Sequence, residues 1–461
     1  MHELIDEADF KELQALLADP ARLVRSSSEL ALHAHDESPH PQHLPDAVAY
    51  PLDTPEISRL LCWAQAKKVP LTPWGAGTSL EGNPIPAHGG LVLDMRRMNK
   101  IINIRAEDLL VIVQPGLLHT ELNQRLAKHG LFFPPDPGAP AALGGMMANN
   151  AAGIQATRYG ASKRYLLALE LVLPGGEVIR LGSQARFSSS GYNLKGLIAG
   201  SEGTLGVISE LTLRLMGVPP EMAAAIVSFP DLQMAAATVV GIVQAGIAPA
   251  ALELLDAGSI KAINAFKGLA LEEKPTLFME FHGNLAAVRA ELAFAEERSR
   301  AQGALDFRSG LGRAERDRLW EARHQLYYAA AALNPGKRAI VTDVAVPISR
   351  LPQMIEFAGE RLAQLGIQGP IVGHAGDGNF HVGLFYDPAA ADELARAGEA
   401  NAAIVKRALE LGGTATGEHG VGLGKTQFME SEHGASLQLM RRLKGLFDPE
   451  GLMNPGKIFP A

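Results

Sequence analysis

Apolar and polar positions alternate along this chain in two rhythms, and their succession predicts its elements. From Thr54 a helical period places Ile57, Leu60, Leu61 and Ala64 on one face, with Thr54 as N-cap and Pro55 at the first helical position. The short run Val69–Pro73 reads as a strand entering a glycine-rich loop, Trp74-Gly75-Ala76-Gly77-Thr78-Ser79-Leu80-Glu81-Gly82, and a second apolar strand follows at Leu91–Leu93. Further strands are predicted at Leu109–Val113, at Leu166–Leu173 turning at Pro174-Gly175-Gly176, and at Val207–Leu215, with a helix near Thr120–Lys128. This half is α+β.

Around Val218-Pro219-Pro220 the glycine loops end and a new alternation starts: strand Ala225–Phe229, helix 231–244, strands Ala251–Leu255 and Thr276–Phe281, and a long helix 284–302. Helix 312–333, strand Ala339–Val346, helix 350–365 and a glycine-rich hairpin at 371–386 follow, and no fixed-period repeat is visible. A domain boundary belongs at this change of pattern. It divides the chain into a helical lead-in over 1–45, a domain over 46–218, a second domain over 219–446 and a terminal segment over 447–461. The lead-in ends in His33, His35, His40, Pro41, His43 and Pro45, a Pro-punctuated polar stretch that reads as a solvated linker.

Length supports the division, because 461 residues exceed what one core serves. The 48 glycines are about 10% of the chain, above the typical share of roughly 7%, which points to backbone packed close to a ligand. A net charge of −8 leaves no electrostatic footprint for a polyanion, so nucleic acid is not expected as a partner. The one cysteine, Cys62, excludes an internal disulfide, a Cys-rich metal site and a ligated iron–sulfur cluster. Its place in an apolar helical pattern predicts a buried small side chain. Met1–Phe10 is acidic and lacks the basic-then-apolar order of a signal peptide. No apolar run reaches the roughly 18 residues of a membrane span. A cytoplasmic protein is expected, with peripheral contact at the inner face of a membrane left open.

A loop of small residues lets several backbone N–H groups converge on one anion, as a pyrophosphate requires. Residues 74–82 meet that need, but Gly75, Gly77 and Gly82 lead into a strand, so the helix-opening dinucleotide fingerprint is not met. Two further regions of this kind exist. One runs from Pro134-Pro135-Asp136-Pro137-Gly138 into 144–153, with Gly144, Gly145, Asn149 and Gly153; the other is Gly200-Ser201-Glu202-Gly203-Thr204-Leu205-Gly206-Val207-Ile208. A glycine-rich turn alone is also an ordinary structural turn. Three in one domain point to one extended ligand.

The stretch 371–382 reads as two strands joined by a tight turn through Asp377-Gly378, which sets His374 opposite His381. Opposed Cβ atoms lie about 4.5–5.5 Å apart, close enough for two imidazoles to share an ion. The segment Thr416-Gly417-Glu418-His419-Gly420 offers an acidic residue that could complete a His₂-carboxylate set with open positions. On spacing alone, a plain cross-strand histidine pair, with His419 capping a turn, accounts for the same residues.

PWGAGTSLEG, PPDPGAPAALGGMMANNAAG and GSEGTLGVISELTLRL resemble the FAD-binding domain of the vanillyl-alcohol-oxidase-like flavoproteins over about residues 40–218. The resemblance implies an FAD-binding α+β domain over 46–218, in contact with FAD through Pro73, Gly75, Ala76, Gly77, Thr78, Ser79, Leu80, Gly82, Pro135, Asp136, Pro137, Gly144, Gly145, Asn149, Gly153, Glu202, Gly203, Ile208 and Asn454. Some members carry a flavin-linked histidine in the first loop. Ala76, Thr78 and Ser79 stand here instead, which implies noncovalent FAD. The C-terminal stretch Phe447–Lys457 returns to the flavin domain in relatives.

GHAGDGNFHV and TGEHGVGLGK resemble the substrate-binding domain of FAD-linked 2-hydroxy acid dehydrogenases. That resemblance implies a ferredoxin-like α+β domain over 219–446 with a divalent metal ion (Zn, Mn or Fe) on His374, His381 and Glu418. His419 then matches the catalytic residue beside the substrate hydroxyl, and His374 and Asn379 contact substrate. Trp320-Glu321-Ala322-Arg323-His324, continuing to Thr342-Asp343-Val344-Ala345-Val346-Pro347, resembles the D-lactate dehydrogenase branch and places Arg323 at the substrate carboxylate. Dicarboxylate-specific relatives carry a lysine and an asparagine where Val341 and Gly383 stand here. The implied activity is FAD-dependent oxidation of D-lactate or a near relative to the 2-keto acid, with electrons passed to a cytochrome, a quinone or a flavoprotein. A glycolate oxidase FAD subunit and a non-redox flavin-dependent transferase resembling alkyl-glycerone-phosphate synthase are the alternatives.

Overall fold

A computed structural model describes residues 4–324 and 326–460. Contacts divide the chain into two units: the first gathers the chain up to Ala151, Ala161–Val218 and the segment from Glu418 onward, and the second comprises Ala152–Gly160 and Pro219–Gly417. The segment grouped with the first unit thus begins at Glu418, well before the 447–461 expected to return. Among the described residues no helix is long and apolar enough to cross a membrane.

The first unit holds two main sheets. One is ordered Leu23–Val24, Ala47–Ala49, Leu91–Asp94, Leu71–Trp74, with the last three strands parallel. The other is antiparallel and ordered Ile101–Arg105, Leu110–Val113, Val207–Arg214, Leu166–Val172, Val178–Gly182. The helix Thr54–Lys67 carries the chain between Ala47–Ala49 and Leu71–Trp74, the kind of crossover that parallel strands require. Its Ile57, Leu60, Leu61 and Ala64 share a core with Leu71, Leu91 and Leu93, as the helical period predicts. Its N-cap is Asp53 rather than Thr54: the Asp53 carboxylate accepts the Glu56 N–H at 2.9 Å, while the Thr54 hydroxyl donates to Glu170 at 2.6 Å.

Two expectations are overturned in this unit. Cys62 is exposed, not buried; it lies off the stripe of Leu60, Leu61 and Ala64, with its sulfur 3.2 Å from the Gly175 carbonyl. The segment before residue 46 is not a solvated linker. Arg22 and His33 are buried, the first paired with Glu56 and the second with Asp94 at 2.9 Å, and buried Asp36 accepts the Gly82 N–H at 2.8 Å. A polar stretch can pack into a fold when its buried groups find partners, as Arg22, His33 and Asp36 do here.

The second unit is built on one antiparallel sheet, ordered Asp306–Leu311, Glu221–Ser228, Thr276–Gly283, Ala251–Leu255, Ile371–His374, Asn379–Tyr386, Arg338–Val341. The helices Leu285–Ala301, Leu232–Gln244, Leu351–Leu365 and Ala391–Glu410 pack side by side in that order. Elsewhere Ile260 and Ile263 of helix Ala257–Lys267 share a core with Trp320, Ile226, Leu255 and Phe278. The helix expected over 312–333 is described as Arg313–His324 and Leu326–Ala332, and residue 325 lies outside the described residues. The strand expected over Ala339–Val346 is two, Arg338–Val341 and Val344–Ala345. Thr342 interrupts the ladder because its hydroxyl, not its carbonyl, accepts the Val382 N–H at 2.8 Å.

Helix Arg313–His324 brings two arginines to two buried glutamates of the sheet: Arg316 to Glu280 at 2.8 Å and Arg323 to Glu253 at 2.7 Å. Seven residues are two turns, so both guanidiniums leave the same helix face.

The Arg22–Glu56 pair anchors the chain's beginning to helix Thr54–Lys67. Burial pushes the Glu56 carboxyl up, but Arg22 and the N–H groups of Ala18 and Leu52 outweigh it and bring it down to about 2. A depressed carboxyl contributes stability above its unfolded value and loses it as pH falls through the folded value. Glu56→Ala should therefore cost about 3–5 kcal/mol near neutral pH, because it strands a buried guanidinium. Thermal melts at a series of pH values check this: the gap between wild type and variant should shrink as pH falls from 4.5 toward about 2.

Candidate active site

The small residues of the first unit bring its loops together. A Cβ on Gly75 would lie 3.3 Å from the Ala142 Cβ, one on Gly203 (φ +70°) 3.0 Å from the Pro73 ring, and one on Gly144 2.6 Å from the Pro115 Cβ. Residues 75–80 are all half-buried. Among the described residues, the backbone N–H groups of Ala76, Gly77, Thr78 and Ser79 donate to no protein acceptor. Such a nest of open donors suits an anion.

One buried carboxylate joins these loops. Glu202 accepts from the Val421 N–H at 2.6 Å, the Gly422 N–H at 2.8 Å and the Asn83 amide at 2.6 Å. Burial nonetheless pushes its carboxyl up. The Asn454 amide donates to the carbonyls of Glu202 at 2.7 Å and Asn83 at 3.0 Å. Glu202 and Asn454, expected at the cofactor, are thus ties between the loops that form the cradle.

The other expected cofactor residues are placed as follows. Asn149 donates to the His419 carbonyl at 3.2 Å, and Asp136 lies 3.6 Å from His119. Pro135 is buried, Pro137 and Leu80 are half-buried, and Gly82 donates to Asp36. Gly145 has open space around its missing side chain. Ile208 is buried opposite Leu171. Gly153 (φ +113°) belongs to the segment grouped with the second unit. His419 lies in the first unit, where its Nδ1 is 4.0 Å from Glu81, and Glu81 is also 3.5 Å from buried Lys425.

In the second unit, Glu253 stands opposite His374 in the sheet. One carboxylate oxygen accepts from His374 Nδ1 at 2.6 Å, and the other from Arg323 Nε and Nη2 at 2.9 and 2.7 Å. Burial pushes the Glu253 carboxyl up, but His374 and Arg323 outweigh it and hold it below the usual carboxylate range. His381 Nδ1 donates to the Thr342 carbonyl at 3.1 Å, and the His374 and His381 rings are 5.4 Å apart between centroids.

These two histidines are not directly opposed as expected. Val372 faces His381, so the pair is diagonal. The connection is a four-residue loop, Ala375 to Gly378, closed by the Gly378 N–H on the Ala375 carbonyl at 3.0 Å, rather than a two-residue turn. A register difference of two residues keeps the same face, so the rings still meet. With each Nδ1–H donated to an acceptor, a neutral ring carries its lone pair on Nε2, the donor chemistry that fits a divalent metal ion.

Asp343 is buried beside them and accepts from the Asn379 amide at 2.8 Å and the Thr416 hydroxyl at 2.7 Å. The Asn379 nitrogen also donates to the Val344 carbonyl at 2.9 Å, and two acceptors on one side fix the amide's orientation. Its buried Oδ1 has no hydrogen-bond partner among the described residues. A Cβ on Gly417 would lie 2.1 Å from that amide nitrogen. Val341 stands opposite Gly383 in the sheet, on the face of strand Asn379–Tyr386 that carries Asn379 and His381. Glu253 went unnoticed in the sequence. The only available sign was a charged residue at the centre of the apolar strand Ala251–Leu255.

Residues 45–182 match the model of the FAD binding domain, and residues 218–458 match that of the FAD linked oxidases, C-terminal domain. The chain belongs to the FAD-linked oxidases. This family member is 44% identical over 92% of its length to a probable mitochondrial D-lactate dehydrogenase of Danio rerio, covering 86% of that protein. It is 40% identical over 91% of its length to the mitochondrial D-lactate dehydrogenase [cytochrome] of Arabidopsis thaliana, covering 74% of it. It is 35% identical to the glycolate oxidase subunit GlcD of Bacillus subtilis, over 98% of this chain and 97% of that one. Among solved structures, an alkyldihydroxyacetonephosphate synthase shares the fold, with TM-score 0.76 and 21% identity over 98% of this chain and 85% of that one.

The cradle of this FAD-linked oxidase depends on Gly203, whose φ of +70° and proximity to Pro73 exclude a side chain. Gly203→Ala adds about 1–2 kcal/mol of backbone strain, enough to weaken FAD binding about tenfold. The ratio of flavin to protein absorbance after purification reads the loss.

Proposed function

We propose that this chain is an FAD-dependent dehydrogenase that oxidises a D-2-hydroxy acid, D-lactate or a near relative, to the 2-keto acid. The observation that carries the reading is the cluster in which Glu253 holds both an imidazole and the arginine suited to a substrate carboxylate. The D-lactate dehydrogenases at 44% and 40% identity support it. FAD, which the glycine loops of the first unit would hold, would supply the hydride acceptor for the substrate's Cα–H.

The roles of the chain's own residues follow from their donors and acceptors. Arg323 binds the substrate carboxylate through the N–H groups it does not spend on Glu253. Asn379 has spent its amide hydrogens and offers an acceptor oxygen, which suits the substrate hydroxyl and not its carboxylate. His374, His381 and Glu418 would hold a divalent ion, which would supply Lewis-acid polarisation of the bound hydroxy acid. Glu418 directly follows Gly417, the residue packed against Asn379. His419 takes the hydroxyl proton, work for which an imidazole is suited near neutral pH.

The wall beyond the histidines favours a substrate whose far end is apolar. Gly383 lies two residues along the strand from His381, about 7 Å away, on the same face and opposite Val341. Neither residue offers a cation to a second carboxylate. Electrons then leave for a separate acceptor, a cytochrome by likeness to the relative named for one, or a quinone or flavoprotein.

Anaerobic titration of the purified flavoprotein with D-lactate, L-lactate, glycolate and D-2-hydroxyglutarate tests the reading. D-lactate should bleach the flavin and the others should do so weakly or not at all. Bleaching by glycolate alone would transfer the assignment to the glycolate-oxidising relatives, and no bleaching by any hydroxy acid would favour a non-redox flavoprotein. His419→Ala should slow flavin reduction by D-lactate about 10²–10⁴-fold in stopped-flow absorbance, and an unchanged rate would remove it as the base.

A further inference from the structure

Glu253 belongs to neither the cradle nor the proposed ligand set, yet it is fully buried and touches both a proposed metal ligand, His374, and the proposed carboxylate clamp, Arg323. One oxygen receives His374 Nδ1 at 2.6 Å and the other receives Arg323 Nε and Nη2 at 2.9 and 2.7 Å. We propose that Glu253 is the positioning residue of this site: its single carboxylate fixes both the tautomer of His374 and the orientation of Arg323, so ion binding and substrate binding depend on one buried group. The inference rests on the roles assigned above to His374 and Arg323.

The chemistry of the two oxygens carries the argument. A carboxylate accepts on both sides, and here both sides meet donors. Accepting from Nδ1 keeps the His374 proton there and leaves Nε2 as the ligating lone pair. Accepting from Nε and Nη2 holds the guanidinium by one edge, which directs its remaining N–H groups away from Glu253. An amide in the same place cannot do both. With its oxygen toward Arg323, its NH₂ faces Nδ1 and drives the ring proton to Nε2. With its oxygen toward His374, its NH₂ opposes the guanidinium.

The same unit contains its own control. Glu280 is equally buried and also meets an arginine and a histidine: Arg316 forms an ion pair with one oxygen at 2.8 Å, His282 lies 2.6 Å from the other, and the second ring nitrogen of His282 lies 2.8 Å from the Tyr159 hydroxyl. It has the same kinds of partner without a contact to His374 or Arg323. A purely structural role for Glu253 predicts that Glu253→Gln and Glu280→Gln behave alike, and a positioning role predicts that they differ.

The test uses the flavin-loaded protein stripped of metal ions and titrated with Mn²⁺ by calorimetry. Glu253→Gln should raise the Mn²⁺ Kd about 10–100-fold. At saturating Mn²⁺ it should raise KM for D-lactate about tenfold, with a smaller change in kcat. Flavin content should stay at the wild-type level. Glu280→Gln should lower the melting temperature and leave the Mn²⁺ Kd within about twofold. Equal Mn²⁺ Kd values in wild type and Glu253→Gln, or equal losses in the two glutamine variants, would overturn the proposal. If Glu253→Gln does not fold, Glu253→Asp takes its place: it keeps both acceptors but withdraws them by one methylene, so Mn²⁺ Kd and KM should both shift, and wild-type values for both would overturn it. A wild type that binds Mn²⁺ but is not reduced by any hydroxy acid would instead sink the functional reading, and the Mn²⁺ comparison would still decide the role of Glu253.

Discussion

A carboxylate withdrawn from water must be met by donors, and each unit of this molecule is organised around one that is. Leaving such a group unpaired costs several kcal/mol, so the donors cannot be lost one at a time. In the first unit Glu202 accepts from Asn83 and from the adjacent Val421 and Gly422, two stretches far apart in sequence. Its satisfaction therefore fixes the glycine loops relative to the segment that follows Glu418. In the second unit Glu253 plays the corresponding part for a histidine and an arginine 121 and 70 residues away. The glycines determine where backbone can approach a ligand, and these two carboxylates hold the loops and side chains in place.

Pairing also has an electrostatic consequence. Arg323 spends one edge on Glu253, and the pair together carries no net charge. A neutral pair attracts a distant carboxylate only weakly, so under the proposed reading its contribution to substrate binding is directional: the remaining N–H groups recognise a carboxylate by geometry at short range. Under the proposed reading, longer-range attraction for the substrate anion comes from the bound divalent ion. On that reading the ion would serve affinity as well as the chemistry, which makes one residue linking ligand and clamp advantageous.

The two-unit plan and most elements were legible in the sequence because they follow local rules. Period, cap chemistry and glycine turns place Thr54–Lys67, Leu91–Asp94 and Ala251–Leu255 within a residue or two. Failures came where a distant partner overrode the local pattern. His33 and Asp36 lie in a stretch that reads as linker, but Asp94 and the Gly82 N–H bury them. The strand near 339–346 broke in two because the Thr342 side chain replaced a backbone acceptor. The histidine pair was found although its register was misjudged, since a shift of two residues preserves the face. Glu253 was illegible, because nothing within an apolar strand states which arginine and which histidine will reach it.

Under the proposed reading, the substrate's far end meets the same strand. Asn379, His381, Gly383 and Phe385 share one face, so the polar surface that ends at His381 gives way to glycine and an aromatic ring. Gly383 is not a gap left for a larger substrate, because a Cβ there would lie 3.2 Å from both Phe385 and Pro370. Its partner across the sheet is Val341, which contributes bulk and no charge. A second carboxylate held against this surface would be desolvated with no cation to meet it, a far larger cost than one surplus methylene on an apolar substrate. Discrimination at this end therefore acts strongly on charge and only weakly on length. A site of this kind rejects dicarboxylates while tolerating D-2-hydroxy acids somewhat longer than lactate.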